Sequence, residues 1–277
     1  MRYEPRVPDE SVNVSDVSPL RELGRSAGSL LVGLALLGIL IAYSVDIAVR
    51  LIPPDFETRA FADLQFAASG DESGPPDPRR ASAQSLVGRL AAHWRDAPYA
   101  FRVSITDSPD LNAGAFPGGA IVVTSGLLGE VKSENELAFV LGHELGHFRG
   151  RHHLRRLGRT VLYGLAASAV LGQAGSAAQT GSLVTSLTER GFDRSQEEEA
   201  DTFGLDLLNA EYGHVQEAGA FFAQVAKSGG GNRFTAYLST HPAPADRALR
   251  LARLAESKGY AQRGTVTPYG VTKAENP

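Results

Sequence analysis

A run of twenty uncharged residues near the N-terminus constrains the fold of this chain more than any other feature. The run extends from Ser26 to Val45 and reads SAGSLLVGLALLGILIAYSV. A helix needs about 20 apolar residues to cross the roughly 30 Å hydrocarbon layer of a membrane. A cleaved signal peptide would have a shorter apolar core, and a buried core helix would show a polar face. The run therefore predicts a membrane anchor over residues 26–47.

The basic residues that flank this run indicate which way the chain crosses. Arg6, Arg21 and Arg25 precede the run, and Arg50 and Arg59 follow it. Lysine and arginine are enriched on the cytoplasmic side of a span, whereas acidic residues contribute little to orientation. The excess before the run predicts a cytoplasmic N-terminus, which places the main domain on the extracytoplasmic (periplasmic) side.

Composition excludes several classes of function. The chain has 277 residues, enough for one substantial domain with extra segments. Its formal net charge of -4 offers no basic excess that could neutralise phosphates, so we expect no nucleic-acid partner. Cysteine is absent, which excludes disulfides, thiolate metal ligands and a cysteine nucleophile. Any metal must therefore be held by histidine and carboxylate side chains.

Changes in composition divide the chain into five segments. They are a polar tail at 1–25, the anchor at 26–47, a connector at 48–80, a folded domain at 81–257 and a C-terminal tail at 258–277, which we expect to be disordered. The boundary at Ala81 follows the stretch SGDESGPPDPRR, which cannot bury enough apolar area to offset the entropy of ordering. A short helix is predicted within the connector, around residues 57–68.

Periodicity predicts helices and a small sheet in the folded domain. Phe101, Val103 and Ile105 alternate with polar residues, which is typical of a strand, and residues 120–124 form a second one. The glycine-rich segment NAGAFPGG between them is predicted as part of a turn. Helices are predicted over residues 81–93, from Ser133 onward, and over 195–210, 215–227 and 244–257.

The helix that begins at Ser133 carries the motif with the clearest chemistry. Ser133 and Glu136 have the spacing of a capping box, in which each side chain satisfies an exposed amide of the first turn. The helix then contains HELGH at residues 143–147, an HExxH motif. His143 and His147 are four residues apart and share one helix face, so they can bind one cation. Glu144 lies beside them and is the candidate catalytic base. It would accept a proton from a water bound to zinc, because zinc lowers the pKa of such a water to about 7.

A catalytic zinc needs a third protein ligand, and two candidates compete. His153 completes the longer pattern HExxHxxGxxH, the metzincin signature, but that class also needs a downstream methionine turn, and the single methionine here is Met1. Glu197 is the other candidate, although an acidic run at a helix N-terminus is also favoured by the helix dipole. Asp201 shares its helix face and would accept a hydrogen bond from the second ring nitrogen of a ligand histidine.

Four stretches together resemble the M48 family of metallopeptidases. They are NAGAFPGGAIVVTSGLL, ENELAFVLGHELGHFRGRH, FDRSQEEEADTFGLDLL and STHPAPADRALRL, and the resemblance covers roughly residues 86–254. The site residues it implies are the zinc ligands His143, His147 and Glu197, the base Glu144 and the supporting Asp201. His152 falls on a histidine that is common in the family after the motif, so His152 and His153 are interpreted as non-ligands. At Gly114-Ala115 this chain departs from the family, which often has a bulkier residue there, so the resemblance does not assign a substrate contact to these positions.

Two late residues and one strand complete the candidate site. His241 and Arg247 match a late His-Pro…Arg element of the family. One interpretation is a helix start with Arg247 in an ion pair. The other brings His241 to the zinc, either to stabilise the oxyanion or to occupy the open position in a resting state. The strand is Ala120, Ile121, Val122, Val123 and Thr124, predicted as a core strand with one usable edge to which a peptide substrate adds.

The stretch from Thr160 to Leu187 is also uncharged. If His147 and Glu197 meet at one metal, they lie on the same side of the membrane, so the chain between them must cross it an even number of times. Two membrane crossings need about 40 residues plus a turn. An Ala/Gly-rich helical hairpin packed on the domain is therefore predicted there instead of a span.

These features predict an α+β fold: a mainly helical zincin (gluzincin-like) peptidase domain with a small β-sheet, plus one N-terminal transmembrane helix. The predicted function is a membrane-anchored endopeptidase with one Zn2+ per chain. Its partners are protein or peptide substrates and the membrane, through residues 26–47; unfolded or misassembled proteins are the substrate class that the resemblance implies. The alternative is a non-cleaving chaperone or binding module stabilised by zinc, against which Glu144 argues because a structural zinc does not require it.

Overall fold

The computed structural model describes residues 18–62, 77–171, 192–227, 234–241 and 246–269. The chain divides into two compact units, residues 1–44 and residues 45–277. The first unit contains most of one long helix. The second unit contains the sheet, the remaining helices and the candidate metal centre.

Helix α1, Pro19–Leu51, carries the uncharged run. Proline suits the start of a helix because the amide that it lacks would have no partner there. The helix has 33 residues, and an 18-residue window within it has a mean hydropathy of 2.3 with 6% of the window buried. A core helix would be mostly buried, so α1 is a candidate membrane span by its length and composition. It extends beyond the predicted anchor, 26–47, at both ends.

The connector after α1 contains the short helix α2, Pro54–Ala60, whose Glu57 side chain is fully buried. The helix predicted around 57–68 thus begins earlier, and its last residues lie outside the described part of the chain, as does most of the predicted linker. Helix α3, Pro78–Ala92, begins before the predicted boundary at Ala81. Asp77 caps it by accepting a hydrogen bond from the Arg79 amide at 2.8 Å.

Three short strands form the sheet: β1 Arg102–Thr106, β2 Ala113–Phe116 and β3 Ala120–Thr124. β3 lies in the middle, parallel to β1 and antiparallel to β2. The turn between β2 and β3 passes through Gly118 and Gly119, whose φ angles of 87° and 98° favour glycine. The prediction of a turn over NAGAFPGG was wrong for β2, because pairing with β3 overrides the weak strand preference of glycine and alanine.

The remaining helices of the described residues are α4 Ser125–Glu130, α5 Glu134–Arg149, α6 His152–Leu171, α7 Arg194–Tyr212, α8 Ala220–Lys227, α9 Thr235–Thr240 and α10 Arg247–Ser257. The helices predicted over 195–210, 215–227 and 244–257 are confirmed as α7, α8 and α10, although α8 and α10 begin later. α6 covers the first part of the uncharged stretch, and the rest of the predicted hairpin lies outside the described residues.

Caps fix where the two central helices begin. Ser133 accepts a hydrogen bond from the Glu136 amide at 3.1 Å, as expected for α5. The Glu136 carboxylate accepts from the Lys132 amide at 2.9 Å and not from that of Ser133, so the predicted box is only half formed. The complete capping box lies at α7, where Asp193 and Gln196 exchange both bonds.

The core of the second unit lies between α5, α7 and the sheet. Its fully buried side chains include Leu86, Ile121, Leu137, Phe139, Leu141 and Phe148. The apolar stripe of α5 packs inward, so the HExxH motif on this helix is held in the interior and not in a surface loop.

Candidate metal centre

The site lies where α5 packs against α7, and small residues bring the two backbones together. A Cβ atom on Gly146 would lie 2.6 Å from the Cα of Ala200, and one on Gly204 would lie 2.8 Å from the backbone nitrogen of His143. No side chain fits at such distances, so this approach depends on glycine. Gly142 and Gly146 are four apart on α5, as are Ala200 and Gly204 on α7, so each pair lies on the contact face of its helix.

Four buried side chains meet at this contact. They are His143, His147, Glu197 and His241, termed here the metal cluster, and their candidate ligand atoms all lie within 4.8 Å of one another. Nε2 of His143 and Nε2 of His147 are 3.0 Å apart. The carboxylate oxygens of Glu197 lie 3.5 Å and 3.4 Å from these nitrogens. The structure therefore brings together the three residues that were predicted as ligands from two separate helices.

The separations fit a tetrahedral zinc. Zn–N and Zn–O distances of about 2.0–2.1 Å place the ligand atoms of a tetrahedral shell about 3.3–3.4 Å apart. Five separations between these residues run from 3.0 to 3.5 Å, with Oε2 of Glu197 measured to His143 and Oε1 to His147 and His241. Imidazole nitrogens with one carboxylate are also a donor set that suits zinc. Lone pairs that face one another in a buried site are stabilised by a cation between them, so the cluster could bind a metal.

The pKa shifts of two residues of the cluster, Glu197 and His147, favour metal binding. Burial alone would raise the pKa of Glu197, but the charges of His241 and His143 and the hydrogen bond from His147 hold that pKa well below 4.5. Burial lowers the pKa of His147 well below 6.5. A charged carboxylate and a neutral imidazole are the forms that coordinate a metal at neutral pH.

Glu144 is fully buried beside the cluster. Within the described part of the chain, neither of its carboxylate oxygens has a hydrogen-bond partner. Its Oε1 lies 3.6 Å from Nε2 of His241. A carboxylate that faces the metal cluster and is not held by other side chains can accept a proton from a water there, as a catalytic base must.

His241 directly follows α9 and lies inside the metal cluster. Its Nδ1 is 3.0 Å from Oε1 of Glu197 and 3.3 Å from Nε2 of His143. The ring stacks on Tyr237, with ring centroids 4.7 Å apart and planes inclined by 21°. Burial would lower the pKa of His241, but the charges of Glu197 and Glu144 outweigh burial and raise it. Both interpretations made from the sequence have a counterpart in the structure: His241 lies beside the candidate ligands, and Arg247 begins α10 and pairs with Asp201 and Glu197.

Asp201 and Arg247 form a buried ion pair next to the ligands. Nη2 and Nε of Arg247 lie 2.6 Å and 2.9 Å from the two oxygens of Asp201, a bidentate contact. Oδ1 of Asp201 also lies 3.0 Å from Nδ1 of His143, the ring nitrogen opposite the one in the cluster. This is the contact predicted for Asp201, and such a contact would orient His143 as a candidate ligand. Burial alone would raise the pKa of Asp201, but Arg247 and His143 bring it below its usual value.

Two further histidines lie outside the metal cluster. His153 Nε2 lies 2.8 Å from Oε1 of Glu57, so the structure does not place it as the third ligand of a metzincin pattern. His152 Nδ1 lies 3.0 Å from Nδ1 of His147, the nitrogen that faces away from the cluster. Both positions agree with the interpretation of these residues as non-ligands.

Phe192 is a site residue that the sequence analysis missed. Its ring stacks on His147, with centroids 3.8 Å apart and planes inclined by 19°. The Arg156 guanidinium lies 4.3 Å from the centroid of the Phe192 ring. The available signal was position, because Phe192 immediately precedes the cap Asp193, where apolar residues often pack against the following helix.

The strand predicted as the substrate-binding edge requires a correction. β3, which is residues 120–124, pairs on both sides and has no free edge. Among the described residues β2 is an edge strand of the sheet, and a cavity of about 200 Å³ lies beside it. Gly114 and Phe116 of β2 line this cavity together with Phe192 and His241. The edge strand at the metal cluster is therefore β2, which the analysis had assigned to a turn.

HExxH on one helix and a glutamate from a second helix, in a helical domain with a small sheet, are typical of one class of metalloendopeptidases. Comparison with known proteins identifies the family within this class. The model of Peptidase family M48 matches residues 78–255, and the chain belongs to this family.

Curated relatives share this region at moderate identity. The chain is 29% identical over 220 residues to the mitochondrial metalloendopeptidase OMA1 of Bos taurus, which covers 71% of this chain and 42% of that protein. It is 31% identical over 179 residues to the metalloprotease YcaL of Escherichia coli, and this match covers 62% of this chain and 69% of YcaL. It is 31% identical over 177 residues to the beta-barrel assembly-enhancing protease of E. coli, and this match covers 59% of this chain and 36% of that protein. The match thus spans less than half the length of two of these relatives.

Proposed function

We propose that this chain is a membrane-anchored zinc endopeptidase that hydrolyses peptide bonds of unfolded or misassembled proteins, with one zinc per chain. The observation that carries the proposal is the buried cluster of His143, His147 and Glu197, with separations of 3.0–3.5 Å, beside Glu144. The apolar helix α1 supports the anchor. The name of one relative, a beta-barrel assembly-enhancing protease, supports a role in protein quality control.

The reaction divides between the metal and the chain. A zinc ion held by His143, His147 and Glu197 would polarise the scissile carbonyl and would lower the pKa of a water to about 7. Glu144 accepts the proton of the attacking water and then delivers it to the leaving amine. Asp201 and Arg247 hold the His143 ring, so that its Nε2 stays directed at the cluster throughout.

His241 is proposed to act in the resting state. Its Nδ1 lies 3.0 Å from Glu197 and 3.3 Å from His143, which supports a role for His241 as a further ligand that would hold the metal before substrate arrives. The ring then moves aside when a substrate carbonyl enters. Residues 242–245 directly follow His241 and lie outside the described part of the chain.

Substrate is proposed to add to the free edge of β2. An extended peptide can pair with an exposed strand through backbone hydrogen bonds, which gives affinity with little sequence preference. The cavity beside Gly114 and Phe116 would accommodate one substrate side chain. The position of this cavity next to His241 brings the bound backbone toward the metal cluster.

The peptidase domain is proposed to lie on the extracytoplasmic side. The support is the excess of arginine before residues 26–47, since Arg21 and Arg25 lie close to the candidate span.

The test is a time course of cleavage of an unfolded protein such as β-casein by the full-length chain in detergent, with zinc. We expect wild-type protein to cleave and Glu144→Gln to be slower by about 10²–10⁴-fold, because general base catalysis contributes about that much. Glu198→Gln is the matched control, because Glu198 is an exposed carboxylate on α7. All three proteins should bind zinc equally.

Equal rates for wild type and Glu144→Gln would refute the mechanism. If all three proteins bind zinc and none cleaves, the non-cleaving binding module is the better description of the chain.

A further inference from the structure

The connector after the candidate anchor contributes a fully buried carboxylate to the peptidase domain. Glu57 on α2 precedes the residues that the family model matches, and its relative exposure is 0%. Its carboxylate accepts hydrogen bonds from His153 Nε2 at 2.8 Å, the Gly118 amide at 2.8 Å, the Tyr99 hydroxyl at 2.7 Å and Arg151 Nη2 at 2.8 Å. These five residues are termed the Glu57 cluster. They join the connector to three separate parts of the domain.

Arg151 links the Glu57 cluster to the end of α1. Its guanidinium donates to the carbonyl oxygen of Val49 at 2.7 Å and also to that of Ile52. The last carbonyls of a helix have no partner within the helix, so a cation there satisfies them. Arg151 also has a φ of 52°, a left-handed conformation that is strained for a residue with a side chain. The hydrogen bonds to Glu57 and to α1 offset this strain and hold the turn between α5 and α6.

The first residue of α6, His152, follows this turn directly and reaches the metal cluster. Arg151 and His153 both bond to Glu57, while His152 between them points to the other side and places Nδ1 3.0 Å from Nδ1 of His147. The partner of a ligand histidine's second nitrogen sets its tautomer and ring orientation. A shift of the turn would therefore move the contact that orients His147.

We propose that Glu57 is a positioning residue for the metal centre, which it serves by holding the turn that places His152 against the ligand His147. The proposal rests on the zinc site of the proposed function. It makes the connector part of the catalytic unit and not a passive tether. A carboxylate with a merely structural role would change the stability of the fold but leave the zinc affinity of the folded protein unchanged.

The experiment is a double-mutant cycle on zinc affinity with the full-length chain in detergent. The dissociation constant of zinc is measured by competition with a chromophoric chelator for wild type, Glu57→Gln, His152→Ala and the double variant. We expect each single change to weaken binding by about tenfold or more, as is typical for groups that support metal ligands. Because Glu57 acts through His152, the double variant should be no more than about twofold weaker than the weaker single variant.

Glu211→Gln is the matched control. Glu211 lies near the far end of α7 and pairs with Arg89 at 2.7 Å and His93 at 2.8 Å, away from the metal cluster. Its substitution should leave zinc affinity unchanged within about twofold. If Glu57→Gln does not fold, Arg151→Gln replaces it, because Arg151 is the partly exposed member of the Glu57 cluster. We then expect Arg151→Gln to weaken zinc binding as well.

The outcomes separate the two proposals. Wild-type protein that binds no zinc would sink the proposed function itself. Wild-type protein that binds zinc, with an unchanged affinity in Glu57→Gln or in its substitute Arg151→Gln, would overturn the positioning role alone. Independent losses that multiply in the double variant would also overturn it, because Glu57 would then act by a route other than His152.

Discussion

The Glu57 cluster and the metal site, which comprises the metal cluster and the adjacent Glu144, both bury carboxylates next to histidine side chains. They differ in how these carboxylates are satisfied. Each oxygen of Glu57 accepts two hydrogen bonds from the chain. By contrast, both oxygens of Glu144 and Nε2 of His241 have no hydrogen-bond partner among the described residues.

The difference separates a structural cluster from a reactive one. A buried carboxylate with its full set of donors is stabilised and holds its neighbours in place. Buried polar groups without such partners cost free energy, so they are kept where chemistry needs them. A buried Glu/His/Arg cluster is therefore not evidence of a catalytic site by itself. The feature that sets the metal site apart is the Glu144 carboxylate, which has no hydrogen-bond partner among the described residues and lies beside the candidate ligands.

The largest expected contrast between the two clusters is in metal affinity. Glu197→Ala removes a ligand and should weaken zinc binding by about a thousandfold. A structural zinc site is worth about 10–16 kcal/mol, so one of three ligands accounts for about 4 kcal/mol. His153→Ala removes a histidine from the Glu57 cluster and should cost far less. The measurement is competition with a chromophoric chelator on both full-length variants.

The reverse result would change the ligand set. If zinc were lost in His153→Ala and retained in Glu197→Ala, the longer metzincin pattern would describe the site and the positions of both residues in this fold would be wrong.

A second contrast lies in acid stability. Burial would raise the pKa of Glu57, but His153, Arg151 and the Gly118 amide outweigh burial and lower it to about 2. The folded pKa lies below the unfolded value near 4.5, so its contribution is fully present above pH 4.5 and is lost as the pH falls toward 2. The shift corresponds to about 3 kcal/mol at pH 7, of which about 2 kcal/mol is lost by pH 3.

The measurement is urea unfolding of wild type and Glu57→Gln at pH 7 and pH 3, both with chelator. The chelator removes the metal, and the comparison cancels the acid response of Glu197 and Asp201, which both proteins share. The groups that face Glu57 are Arg151, His153 and Tyr99, and they too are common to both. A stability difference between the two proteins that stays constant from pH 7 to pH 3 would contradict the lowered pKa.

The sequence predicted the chemistry of the metal cluster better than its surroundings. The spacing of HExxH places His143 and His147 on one helix face, and the acidic run offers Glu197 and Asp201 on one face of another helix. The choice of Glu197 over His153 came from the resemblance to the M48 family. The close contact of α5 and α7 was also visible in principle, as small residues four apart on both helices. It could not be interpreted without knowing that these two helices face each other.

The parts that were missed have no local pattern. Glu57 is a single glutamate in a short helix, and only the fold brings donors from residues 99, 118, 151 and 153 around it. β2 consists of glycine, alanine and phenylalanine, whose composition favours a turn until β3 supplies a pairing partner. Missing β2 also misplaced the sheet edge, since the central position of β3 depends on having neighbours on both sides.

The smallest expected effect tests that edge. Gly114 lies on β2 beside the cavity, and a Cβ atom there would meet only Phe116 Cε2, at 3.4 Å. Gly114→Val should therefore fold, and its side chain should narrow the cavity. We expect KM for an extended peptide to rise about tenfold, equal to about 1.4 kcal/mol of binding, with little change in kcat or zinc affinity.

Gly88→Val is the control for this change, because Gly88 lies on α3 with open space around its Cβ position. It should leave both kinetic constants unchanged. A fall in kcat with constant KM in Gly114→Val would show that β2 shapes the reacting centre without binding substrate. An unchanged kcat and KM would show that the peptide reaches the metal cluster along another surface. The substrate-binding edge would then have to be sought on a strand or helix other than β2.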